Sequence, residues 1–291
     1  NCAAVASDAV NLKYCTACRL VKYCGVDCQR AHRKEHKKAC KQRAAELKDE
    51  QLYSQGHERP EGDFCPICTL PIPMPMDNHS PFYVCCMKRV CHGCVAAAAK
   101  RGMHNCPFCR APAIGDDASR LAKLQKRVDA HDPEAIGFLG GQYYVGNLGL
   151  EKDVQRAMEL CTQAAKLGSI YAQYNLGNRY CRGEDLPKDM AQAVRYFEMT
   201  AIQGHVEARH CLGVYEYKNG NFERAVRHYL ISAKMGSDLS LDDIKRMFAV
   251  GQASKEQYAE ALKGYQDAVE EMTTPERDEA RSYWERVRKD K

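Results

Sequence analysis

The chain has 291 residues, 45% of them hydrophobic and 28% charged, with a formal net charge of +5. That length leaves room for about two domains of roughly 100–200 residues each, and no apolar run approaches the roughly 18 residues that a membrane-spanning helix needs. Cysteine usage says more than charge, because of the 17 cysteines only Cys161, Cys181 and Cys211 lie beyond Cys109. Paired thiols two or three residues apart suit either a secreted disulfide framework or thiolate ligands for zinc in a reducing compartment. The Cys-x2-Cys spacing and the three isolated late cysteines favour zinc, since one such knuckle wraps two thiolates around a single tetrahedral ion. With the early cysteines as thiolates and about four zinc ions bound, the net charge falls to about −1, so basicity is no argument for a nucleic-acid partner. The chain opens on Asn1 and has no initiating Met, from which we expect a piece of a longer protein whose targeting segments would lie upstream.

Residues 1–50 hold the first cysteine group, Cys15-x2-Cys18, Cys24-x3-Cys28 and His36-x3-Cys40, followed by a basic helical tail. Between Gln29 and Arg43 seven Lys or Arg face a single acid, Glu35, which reads as a solvated helix face. His32 is expected on a different face from His36, exposed to solvent. The ordering resembles the MYND-type zinc finger: Tyr23-Cys24, Cys28-Gln29, His36-Lys37 and Cys40 stand as in the second half of that motif, with Arg33 where the family usually has tryptophan. The resemblance implies that Cys15, Cys18, His36 and Cys40 share one zinc. Cys24 and Cys28 would join an earlier pair, of which Cys2 is present and the other member would precede Asn1.

Residues 51–62 lack apolar periodicity and read as a linker. The second cysteine group, residues 63–113, contains Cys65-x2-Cys68, Cys85-Cys86, Cys91-x2-Cys94 and Cys106-x2-Cys109, and the proline-rich run Pro71 to Pro75, which must be loop. Eight candidate ligands in four pairs suit a two-zinc module. The pattern resembles an all-cysteine RING-type finger, in which the fourth ligand precedes the fifth by five residues, as Cys86 precedes Cys91. The resemblance implies that Cys65, Cys68, Cys91 and Cys94 bind one zinc and Cys85, Cys86, Cys106 and Cys109 the other. The adjacent Cys85 and Cys86 leave an alternative, in which one of His79, His92 and His104 completes the site, or the two form a vicinal disulfide. It also implies contacts to a ubiquitin-conjugating enzyme through Ile67, Pro107 and Arg110, although the following run Val95 to Ala99 lacks the bulky aromatic of many active members.

Beyond a linker helix at residues 114–132, the sequence repeats. Leu139-Gly140 recurs as Leu176-Gly177 and Leu212-Gly213, each following Ala135, Ala172 or Ala208 by the same interval, and Ala157, Ala193 and Ala225 each stand 11 residues before Gly168, Gly204 and Gly236. Small residues at fixed positions let two helices approach, and the terminal glycine supplies a left-handed turn, so each unit is a helix-turn-helix hairpin. Asp132-Pro133 and Thr274-Pro275 read as helix starts and Ser254 with Gln257 as a capping box. This stretch, residues 133–272, resembles SEL-like repeats related to the tetratricopeptide family, with three good copies and a degenerate fourth; residues 273–291 read as a helix capping the array. The resemblance implies a superhelix whose concave face binds other proteins. Cys161 occupies the slot of Phe197 and Tyr229, and Cys181 that of Tyr144 and Tyr217, so both are expected in the core; Cys211 falls in the slot of Phe138 and Asn175, where burial is left open.

The fold class expected is mostly α, an α-solenoid of helix-turn-helix repeats preceded by two small, zinc-stabilised, loop-rich finger modules. No nucleophile with a base, phosphate loop or acid pair stands out, so there is no catalytic residue to assign and zinc is the expected cofactor. Two functions are consistent with this reading. One is a component of a ubiquitin ligase, the RING-type module recruiting a conjugating enzyme and the repeats holding substrate; the other is a non-enzymatic scaffold whose modules all bind proteins. Partners are expected to be proteins, with no small-molecule substrate, nucleic acid or membrane, and the location cytoplasmic or nuclear, where thiolates stay reduced.

Overall fold

The computed structural model describes residues 12–112 and 115–289, which fall into two compact units, the first ending at Gln55 and the second starting at Gly56. Cys2 and the adjoining residues lie outside the described chain.

In the first unit a two-stranded antiparallel ribbon, β1 (Lys13–Tyr14) and β2 (Lys22–Tyr23), pairs Lys13 with Tyr23 and Tyr14 with Lys22. It precedes one long helix, α1 (Val26–Ser54), whose surface is almost wholly polar. Helix-favouring Lys, Glu, Gln, Ala and Arg fill its length, and Arg43 reaches Glu46 and Glu50 at 3.0 and 2.8 Å. The core here is a small cluster of Cys15, Cys18 and Tyr23. Among the described residues of this unit, so few apolar groups leave the fold to be held by metal. The helix runs to Ser54, into the stretch read as a linker.

The second unit begins with the other cysteine module: the ribbon β3 (Phe82–Tyr83) and β4 (Lys88–Arg89) and the helix α2 (His92–Lys100). After α3 (Asp117–Asp129) come four helical hairpins: α4 (Pro133–Val145) with α5 (Val154–Lys166), α6 (Ile170–Arg182) with α7 (Met190–Ala201), α8 (Val206–Lys218) with α9 (Phe222–Lys234), and α10 (Asp238–Ala249) with α11 (Lys255–Met272). The last helix is α12 (Pro275–Lys289). Mostly α architecture with an α-solenoid behind cysteine modules is what the chain forms.

The repeat spacing works through two devices. The residue after each terminal glycine caps the next helix: Ser169 accepts from the Ala172 N–H, His205 Nδ1 from Ala208 and Ser237 from Ser240, as Asp132 does from Glu134 and Ala135 in the first hairpin. The glycine before the cap has positive φ, +86° at Gly204, where a Cβ would run into the carbonyl of Glu58. Second, the Leu-Gly pairs sit at the helix crossings. Leu139, Leu176 and Leu212 are at most 4% exposed, each contributing about 1.5–3 kcal/mol by burial. The neighbouring glycines admit the facing helix: an added Cβ at Gly177 would lie 2.8 Å from the Phe197 ring, and at Gly213 2.5 Å from Tyr229. Cys161 occupies the same facing slot and is buried. Cys181 is only half-buried, a departure from the core position expected for it. It lies in the last turn of α6, and Tyr217 in the matching slot is likewise exposed. Cys211 is half-buried too.

Two boundaries read from sequence are corrected. Residues 56–62 are no free linker: Gly56 lies so close to Ala201 that a Cβ would clash with its carbonyl, and buried Arg59 bonds Asp63 at 3.0 Å and the carbonyl of Ile72 at 2.7 Å. A segment without apolar periodicity is packed here through backbone and buried polar groups. The C-terminal helix, expected to cap the array, packs instead along α2. The small face of α2 makes that possible, since Gly93 lets the α12 backbone come so near that a Cβ would sit 2.9 Å from Arg277 N.

The cysteine module and the hairpins share one core. Val84 is buried in the cluster containing Leu124, Ile136, Leu139 and Leu160, with Phe82 and Met87 packed against it, and the Phe82 ring stacks on Phe138 at 4.8 Å. On another side Tyr171 of α6 donates its hydroxyl to Asp63, the buried partner of Arg59.

Candidate metal centres

Three cysteine knuckles share one backbone solution. In Cys15–Cys18, Cys65–Cys68 and Cys106–Cys109 the residue after the second cysteine has left-handed φ, 56° at Arg19, 59° at Thr69 and 60° at Arg110. Its N–H donates back to the first cysteine carbonyl at 2.9, 2.8 and 2.9 Å respectively. The turn brings both sulfurs to one side. At Cys91 the same spacing opens a helix: Cys91 is the N-cap of α2, and its sulfur accepts from the Cys94 N–H at 3.4 Å. Adjacent Cys85 and Cys86 converge because they lie in the tight turn between β3 and β4, with Cys86 N–H bonded to Tyr83 O at 3.2 Å and Met87 at φ 54°.

Among the described residues three groups of donor atoms result, the atoms of each within 4.8 Å of one another: Cys15, Cys18, His36 and Cys40; Cys65, Cys68, Cys91 and Cys94; Cys85, Cys86, Cys106 and Cys109. Sulfur separations are 3.8 Å for Cys15–Cys40, Cys68–Cys91 and Cys86–Cys106, and 3.4 Å for Cys85–Cys109. A disulfide needs about 2.05 Å. Four sulfurs about 2.3 Å from a tetrahedral zinc stand about 3.8 Å apart, so the donor sets fit that ion. His79, His92 and His104 lie outside these groups, and Cys85 and Cys86 are both free thiols.

Electrostatics argue the same way. Hydrogen bonds from Cys91 and Cys94 pull the Cys65 thiol down, while Cys94 is pushed up by its bonds to Cys65 and Cys91. Burial, then Cys109 and Cys106, pushes Cys85 up to about 12. In the first unit burial and then Cys15 and Cys18 push Cys40 up to about 12. Burial raises Cys15 as well, but the backbone N–H of Cys18 and the His36 ring prevail and bring it to about 6. Sulfurs this close resist becoming thiolates together, and a divalent cation removes the obstacle.

In the first unit His36 is buried, its Nε2 3.2 Å from Cys18 Sγ. His32 differs from its sequence reading: it is half-buried, bonded through Nδ1 to the Tyr23 hydroxyl at 3.0 Å and stacked on His36 at 5.6 Å. Residues four apart on a helix share a face, so it braces the ligand ring. Cys24 is exposed and Cys28 half-buried; Cys2, expected beside them, lies outside the described residues.

Residues 1–40 match the MYND finger, and residues 133–169, 170–205 and 207–237 match the Sel1 repeat. The chain carries a MYND finger and Sel1 repeats. Among curated relatives it is similar to DAP3-binding cell death enhancer 1 of Rattus norvegicus, 35% identical over 115 residues, covering 38% of this chain and 22% of that protein. It also resembles a putative sel1-like repeat-containing protein, L21, of Acanthamoeba polyphaga mimivirus, 28% identical over 117 residues, or 40% of this chain and 20% of the relative. The chain thus spans about a fifth of the length of the curated relatives it matches. Among solved structures are c5321, a protective antigen of uropathogenic Escherichia coli with an SLR fold, and a Sel1 repeat protein of Oxalobacter formigenes. The first has 30% identity and a TM-score of 0.45, covering 53% of this chain and 33% of that one; the second has 24% and 0.47, covering 62% and 71%.

Zinc is the cofactor of the MYND finger, and the Cys/His donor sets described above suit it. The three interaction residues singled out in the second cysteine module have distinct settings. Ile67 is 43% exposed, Pro107 is half-buried and Arg110 is exposed. Two residues that the sequence reading missed, Arg59 and Arg277, hold this module to the helices. Neither stands in a local motif, and the contacts that tie them to another element, Arg59 to Met272 and Arg277 to Cys68, Leu70 and Pro71, are remote in sequence.

Proposed function

We propose that this chain is a protein-interaction scaffold in which the second cysteine module is a RING-type finger that recruits a ubiquitin-conjugating enzyme, while the Sel1 repeats, with the MYND finger, hold the protein to be modified. The observation that carries this reading is the interleaving of ligand pairs: the first pair groups with the third and the second with the fourth. Such cross-bracing fixes the two knuckle loops relative to α2, and a shallow groove of about 380 Å³ lies between them, lined by Ile67, Ala97, Ala98, Met103 and Pro107. The module would perform no bond-making itself; its contribution is to hold a charged enzyme in a reactive orientation. Exposed Arg110 follows the last ligand, placed to meet an acidic surface. Thiolate ligands would favour a reducing compartment, cytoplasm or nucleus, as its location.

A specific observation favours a non-enzymatic scaffold as the second reading. Thr274, Glu276 and Arg277 at the start of α12 form one wall of the same groove, narrowing what α2 can offer a partner. Self-ubiquitination of the full chain with a panel of conjugating enzymes separates the two. Activity abolished by Ile67→Ala with Arg110→Ala supports the ligase; activity that survives both removes this mechanism, and no conjugating-enzyme binding by the intact chain leaves the scaffold.

A further inference from the structure

The zinc site made by Cys65, Cys68, Cys91 and Cys94 has a neighbour from the far end of the chain. Arg277, in the first turn of α12, is only 7% exposed. Its Nη2 donates to Cys68 Sγ at 3.3 Å and to the carbonyl of Leu70 at 3.2 Å, and its Nη1 to the carbonyls of Pro71 at 2.6 Å and Met272 at 2.9 Å. The guanidinium fork therefore spans the loop that leaves the Cys68 knuckle and touches the ligand sulfur. Its bonded partners are three carbonyl oxygens and one sulfur, so the thiolate group is the anion it faces.

We infer that Arg277 is a positioning residue for this zinc centre, a charge-assisted N–H···S donor that makes α12 part of the metal site. Four thiolates around one dication leave a net charge of about −2, and a buried cation beside them offsets part of it. Arginine suits the place better than lysine because its rigid fork satisfies sulfur and carbonyls together. Gly93 contributes by admitting the α12 backbone, and Lys100 pairs with Glu279 at 2.7 Å further along. The metal's hold on the chain then depends on a helix some 200 residues away, as the pairing of Cys68 with Arg277 shows.

The test is zinc release from the full, zinc-loaded chain into excess EDTA, counted by native mass spectrometry, together with the thiolate-to-cobalt absorption band of the cobalt-substituted chain. In Arg277→Met one ion should leave about 10–100-fold faster than in the wild type, with the other ions unchanged and the cobalt band shifted; Arg277→Lys should fall between. Wild-type release kinetics with an unshifted band in Arg277→Met would overturn the assignment. So would equal acceleration of both ions of the module, the signature of a lost helix contact alone. If Arg277→Met loses its helical circular dichroism, Arg277→Lys carries the test: release and cobalt band both equal to wild type overturn the assignment, and one faster ion supports it.

Discussion

Adding one methyl group at each of two glycines tests the repeat packing. At Gly213 an alanine Cβ would lie 2.5 and 2.6 Å from two ring carbons of Tyr229, which is 2% exposed and cannot swing into solvent. Relief requires a shift of about 1 Å in a filled core, an overpacking of about 1–3 kcal/mol, against a helix-propensity gain of about 1 kcal/mol for Gly→Ala. Gly213→Ala should therefore lower stability by about 0–2 kcal/mol. Gly141 is helical too, but a Cβ there meets nothing within 4 Å, so Gly141→Ala keeps the whole propensity gain and should raise stability by about 0.5–1 kcal/mol. Urea unfolding followed by circular dichroism reads both variants. Opposite signs are expected; a stabilised Gly213→Ala would refute the close helix approach derived from the Leu-Gly register.

Acid sensitivity should arise at His205, whose Nδ1 must be neutral to cap α8 and which burial lowers to about 4. The unfolded chain takes up that proton near 6.5, so this part of the stability is complete above pH 6.5 and is lost as pH falls toward 4, about 2 kcal/mol by pH 5. His205→Ser, which borrows the cap residue of neighbouring repeats and leaves every zinc ligand in place, should flatten the pH dependence of the melting temperature between pH 7 and 5; an unchanged slope would contradict this. Arg59→Met strips the partner from buried Asp63 and should destabilise the second unit by about 3–5 kcal/mol in denaturant titration, more than Tyr171→Phe, which removes one hydrogen bond to a charged group worth about 1.5–3 kcal/mol. Cys86→Ser should bind one zinc fewer than wild type by native mass spectrometry, and an unchanged count would remove Cys86 from the ligand set.

What the sequence made legible was short-range. A knuckle closes over four residues, and a repeat announces itself by register, so the cysteine pairs and the hairpins of residues 133–237 could be read directly. The capping box at Ser254 and Gln257 is formed as its spacing suggests. Contacts between elements remote in sequence could not be read in this way. Nothing local to Val84 says that it lies in the core of the first hairpin, nothing in Glu58 or Arg59 distinguishes a packed strap from a linker, and Arg277 is one of many arginines in a polar helix. Position along an element also matters: Cys181 occupies a core register, but in the last turn of its helix, and is only half-buried.

Repeat arrays ordinarily behave as one-dimensional chains, each unit coupled only to its neighbours. Here the cysteine module touches the first hairpin through Phe82 and Phe138, the second through Tyr171, and the end of α11 through the Arg59 contact to Met272 sulfur at 3.6 Å. The array is closed by a clasp. Unravelling from one end must break the clasp before it gains chain entropy, so fraying gives way to a single cooperative transition. With zinc held in its cysteine sites the clasp would strengthen with free metal, by about 2.7 kcal/mol at a hundredfold excess over the dissociation constant.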